Sequence, residues 1–187
     1  MSAFGTTQCK ATGVRGHIKI VNWPIAPSPA QSFKAFDFLV FDANNAAIAG
    51  CAAGSRIGAV STNQNRVIGR ALSDALDENG AARTRVGVIV ACPNCEFEMP
   101  VDHATPSSAV LIPTSQLMTS YEIKNVNTNG GYYAISLDNT SNPKGMIMDF
   151  NEEDLPTWPD ATTTGTTQYA RAWFEFSPAY GFSGVVS

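Results

Sequence analysis

Nowhere in this 187-residue chain do apolar residues recur at three- and four-residue spacing for more than a single turn, so no amphipathic helix can be drawn. Short aromatic and β-branched runs take its place, broken by Gly, Pro, Asn and Asp at intervals of roughly 8–12 residues. Strands are expected at 36–41, 67–72, 83–90, 96–101, 120–126, 132–137, 145–150 and 169–176, with 46–53 a further strand or a tight crossover. Asp77-Glu78-Asn79-Gly80 and Asn129-Gly130-Gly131 read as turns, since Asn and Gly accept positive φ. The fold class this implies is all-β: a small β-barrel or sandwich of short antiparallel strands with an extended N-terminal arm, in one or two β modules.

Residues 1–35 differ from the rest. Gly5, Gly13, Gly16, Pro24, Pro27 and Pro29 interrupt them, leaving His17–Val21 as one strand-like run. Proline has no amide hydrogen, so Pro24–Pro29 cannot sit in the middle of a sheet. This segment is expected to be an arm with little core of its own. Thr105-Pro106-Ser107-Ser108 resembles a linker. It divides the remainder into a β-barrel module at 36–104 and a second β module at 105–187 packed on the first.

Only 15% of the residues are charged, against roughly 25% in an average soluble domain. The formal net charge of −4 argues against a nucleic-acid partner. Lys10, Arg15, Lys19 and Lys34 stand in the first 36 residues without one acidic residue, whereas Glu and Asp prevail after Tyr121. A basic arm on an acidic body suits an acidic partner surface. No apolar run reaches the roughly 18 residues of a membrane helix, and no charged-then-apolar leader opens the sequence, so neither membrane nor secretion is expected.

Chemistry finds little to use. His17 and His103 are the only imidazoles; the first lies in the arm, and Asp102 and His103 point to opposite faces if extended. Glu96, Glu98, Asp149 and the run Glu152-Glu153-Asp154 could supply a carboxylate pair, but the last reads as a solvated acidic loop within 151–160. Cys92-Pro93-Asn94-Cys95 has CxxC spacing without a second close pair or near histidines for zinc, and no helix follows it for a thioredoxin-like role. Buried or incidental thiols in a reducing cytoplasm are the simplest reading. No cofactor and no enzymatic activity are expected. Arg66, Arg70, Arg83 and Arg85 gather around one hairpin; an exposed, charged sheet face is the plainer reading, and a protein contact, where Arg is enriched, the functional one.

The strand Phe36-Asp37-Phe38-Leu39-Val40, the alanine-rich stretch after it, Val67-Ile68-Gly69-Arg70-Ala71-Leu72-Ser73-Asp74-Ala75 and Val86-Gly87-Val88-Ile89-Val90 resemble the barrel of tailed-phage capsid cement, or head decoration, proteins. Ser120–Ile123, Gly131–Ile135 and Arg171–Phe176 extend the resemblance into the second half. The Pro-rich arm, the Cys-Pro-Asn-Cys turn and the acidic loop depart from it. The resemblance implies a structural protein on the outer surface of a virion capsid, assembled in the host cytoplasm. It would bind the assembled major capsid protein lattice, self-associate as a homotrimer and clasp neighbouring subunits with its arm. Ile18, Ile20, Trp23 and Ile25 would anchor the arm, with Lys10, Arg15 and Lys19 beside them, and the four arginines would mark the barrel's contact face. Two alternatives remain open: a phage tail or receptor-binding module using Trp158 and Tyr169, and a glycan hydrolase or self-cleaving peptidase using Glu152, His103 or Ser115.

Overall fold

The computed structural model describes residues 13–27, 30–42, 44–50, 66–102, 117–125, 133–137, 143–150 and 171–177. Among them lie eleven strands and no helix: β1 (Val14–Gly16), β2 (Ile20–Pro24), β3 (Phe38–Phe41), β4 (Ala47–Ala49), β5 (Val67–Ala71), β6 (Arg85–Val90), β7 (Cys95–Asp102), β8 (Ser120–Asn125), β9 (Tyr133–Ser136), β10 (Gly145–Phe150) and β11 (Arg171–Phe176). The all-β reading therefore holds, and most strand positions fall where the period of two placed them.

Five strands close a barrel in the order β7-β11-β10-β8-β9. Closure comes from β9 lying parallel to the end of β7, through Val101↔Ile135 and Asp102↔Ser136. β1 pairs with the first part of β7, outside the ring. Alternation decides what fills the interior. Phe97, Met99 and Val101 of β7 and Ala172, Phe174 and Phe176 of β11 are buried in one cluster. Each fully buried side chain of this size contributes about 1.5–3 kcal/mol before the entropy of ordering is subtracted.

The second sheet runs in the order β2-β6-β5-β3-β4, and its two edges meet just past β2, where Ile25 bridges Ala47 of β4. Both of its faces carry apolar side chains. Phe38, Val40, Val67 and Ile89 join the barrel's core, where the Phe38 ring stands edge-on to Phe97 and Phe176 at 5.3 and 5.2 Å. Leu39, Phe41, Ile68, Ala71 and Val88 form a separate core on the other face, under Ile25 and Phe33. A β-bulge makes this possible. Leu39 opposes Gly69 and Val40 opposes Val67, which leaves Ile68 as an extra residue. The bulge turns Val67 and Arg70 to one face and Ile68 and Ala71 to the other. Gly69 has φ +153°, and a Cβ there would lie 1.9 Å from the Ile89 carbonyl oxygen.

Several expectations need correction. The closed ring takes only β7 from 36–104, while β3 to β6 of that range join β2 in the second sheet; the 105–108 linker lies outside the described residues. The hydrophobic period marks strands but does not say which strand pairs with which. The expected arm is, from Gly13 on, part of the fold: β1 and β2 are edge strands of the two sheets, and Pro24 takes an edge position where no ladder amide is required. The run His17–Val21 is not one strand, because Gly16 at φ +86° ends β1 and β2 begins only at Ile20. Arg83 and Thr84 precede β6 rather than opening it. The Asp77–Gly80 turn forms as read: the Asp77 carboxylate accepts from the amides of Asn79 and Ala81, and Gly80 has φ +78°.

Candidate interaction surface

The residues expected to meet a partner fall into four groups. Lys10 lies outside the described residues, as do His103, Ser115, Trp158, Tyr169 and the acidic loop. Arg15, Trp23, Ile25 and Arg70 are engaged by the chain itself. Ile18, Lys19, Ile20, Arg83 and Arg85 are exposed, while Arg66 is half-buried just before β5.

The internal engagements are specific. Arg15 pairs with Glu96 at 2.7 Å and Asp149 at 3.1 Å, and its guanidinium lies 4.4 Å from the Trp173 ring centroid. The Trp23 indole donates to the Asn45 carbonyl at 2.7 Å and meets Phe41 edge-on. Ile25 is 8% exposed, a core residue rather than an anchor for a partner. Arg70 is 2% exposed, which removes it from any contact face. Its guanidinium donates to the Glu98 carbonyl at 2.7 Å and the Gly13 carbonyl at 3.1 Å, and stacks between the rings of Phe38 and Phe97. Burial pulls its pKa down to about 10, against the attraction of Glu98, so it stays charged at neutral pH. The bulge at Gly69 turned this arginine inward, and the sequence holds no signal of that register shift beyond the glycine.

The exposed residues converge. Ile20 sits opposite Ile89, Asn22 opposite Gly87 and Pro24 opposite Arg85, all on one face of the second sheet. Ile89 is buried against the barrel core, while Ile20 is 60% exposed. Gly87 has no side chain, and Leu72 lies over the space, 3.3 Å from where a Cβ would be. Leu72 is 39% exposed, and Ile18, just before β2, is 51% exposed. The Arg85 guanidinium donates to the Asn22 carbonyl at 2.7 Å, which fixes a cation at the far end of the face. An apolar surface with basic residues at its margin thus runs along the β2 edge. Leu72 was missed in the sequence because it follows the last residue of a buried strand; the lone Gly87 on the neighbouring strand was the available hint.

Glu96 and Glu98 share the outer face of β7, but Arg15 holds the first and Arg171, at 2.9 Å, the second. No group of three or more His, Cys, Asp or Glu among the described residues could hold a metal ion. Compared with protein-family models, with curated proteins and with solved structures, the chain matches none.

Proposed function

We propose that this chain is a structural binding protein of the capsid cement type. It docks the Ile18, Ile20 and Leu72 surface on the assembled major capsid protein lattice and works without catalysis. One observation carries the reading: two isoleucines more than half exposed beside an edge strand, with Lys19 between them and Arg85 fixed at the end of the same face. Apolar side chains held bare by a rigid sheet, with a polar margin, mark interaction sites. The basic margin favours an acidic partner surface. A protein that binds only the assembled lattice stabilises it by mass action, and copies around a local threefold would meet as a homotrimer. The resemblance of the β3, β5 and β6 sequences to head decoration proteins supplies the partner's identity within this reading.

Co-sedimentation with expanded and unexpanded heads of the virus that carries the chain tests it, together with head melting. Binding to expanded heads alone, with a higher melting temperature, is expected. Absence of binding to either, or no thermal gain, would sink the reading. Deleting residues 1–30 would strip two edge strands, so point substitutions on the exposed face are the sound variants.

A further inference from the structure

Among the described strands the chain changes sheet twice, from β1 to β2 and from β6 to β7, and the two crossovers lie side by side. Gly16↔Cys95 is the last pair of one ladder and Ile20↔Ile89 the first of the next, so the three residues 17–19 face the five residues 90–94. The surplus is taken up by the turn Cys92-Pro93-Asn94-Cys95. There the Cys95 amide donates to the Cys92 carbonyl at 3.1 Å, and Asn94 takes φ +62°. Such a turn holds its first and fourth Cα atoms within about 7 Å, close to the roughly 4.4–6.8 Å that a disulfide spans. Cys92 is half-buried and Cys95 buried. The second crossover strand is tied to the same turn: the His17 amide donates to the Asn94 carbonyl at 2.7 Å, and the Cys92 thiol reaches the His17 carbonyl at 3.5 Å.

We propose that Cys92 and Cys95 form a reversible disulfide that locks the corner where the chain passes between its two sheets. The oxidant is a low-molecular-weight disulfide. The Cys92 thiolate attacks one of its sulfurs, forming a mixed disulfide and releasing one small thiolate. Cys95, once deprotonated, attacks the Cys92 sulfur and expels the second. Two protein thiols lose their hydrogens, and one small disulfide becomes two small thiols.

The order follows from access. Cys92 meets solvent and reacts first. Cys95 is pushed up to about 12, by burial foremost, then by the neighbouring Cys92 thiol; Arg70 of β5 opposes this and Glu175 of β11 adds to it. Closure is therefore the slow step and speeds up with pH, because only the thiolate attacks. Ile18 and Ile20 flank the corner, but the disulfide stands independently of what they bind.

The test uses the purified full chain in mixtures of oxidised and reduced glutathione, followed by alkylation and peptide mapping by mass. The peptide holding both cysteines should lose two hydrogens, and regain them when the ratio is reversed. Closure of the mixed disulfide should quicken by about tenfold per pH unit between about pH 7 and 9. Cys95→Ser should keep glutathione on Cys92, and Cys92→Ser, a change at the accessible member, should leave Cys95 unmodified. Independent alkylation of Cys92 and Cys95 in the most oxidising mixture, or pairing of either with Cys9 or Cys51, would overturn the proposal.

Discussion

Arg70 carries a full charge into the seam between the two sheets, and its surroundings explain why it is tolerated there. Two backbone carbonyls accept from it and two aromatic faces lie against it, so most of what water supplied is replaced. Truncation removes the cation and opens a void together. Arg70→Ala should cost about 3–5 kcal/mol in denaturant unfolding, while Arg70→Met, which keeps the volume, should cost less. Equal losses would mean that filling the volume counts for little. Cys95 gives a second test at this scale. Its proton is held in the folded chain to about pH 12, whereas the usual thiol value is 9.0. The folded state therefore binds more protons than the unfolded state above pH 9, and stability should be level below that pH and fall between about 9 and 12. Reduced Cys95→Ala should lose this slope, measured as the difference in urea midpoint from the parent across pH. Lys144 acts in the opposite direction, since burial lowers its pKa, partly offset by Glu122, so only the difference between variant and parent isolates the thiol.

At the scale of elements, the bulge in β5 and the corner beside Cys92 decide which side chains face inward. Gly69→Ala would place a Cβ against the Ile89 carbonyl at a φ that L residues rarely adopt. A loss of at least about 2 kcal/mol, read as a lower denaturant midpoint, is expected. An unchanged midpoint would show that β5 can slide and the bulge is not needed. Strand positions were legible because pairs such as Phe97 and Met99, or Phe174 and Phe176, repeat every second residue. The arginines were not, because a bulge breaks the period that assigned their faces: Arg70 turned inward, while Arg85 kept to the exposed face with Ile20. The basic arm misled for a related reason. Its glycines and prolines mark an edge strand that leaves one sheet and enters another as readily as a free segment.

For the molecule as a whole, pairing between distant strands sets the architecture. β1 pairs with β7, and β7 with β11, across separations that no local pattern reports. That is why β7 of 36–104 closes a ring with β8 to β11, and why Phe38, Val40 and Val67 of the second sheet share its core. The architecture leaves one face of the second sheet partly bare, and the proposed function rests on that face. The most direct measurement is a co-sedimentation isotherm on expanded heads for the parent chain and for Ile20→Asp, after both are shown to melt at the same temperature. Ile20 is exposed, so the substitution should leave the fold intact while affinity falls at least about tenfold, equivalent to about 1.4 kcal/mol of binding free energy. Equal affinity of the two proteins would contradict the assignment of this face as the surface that binds.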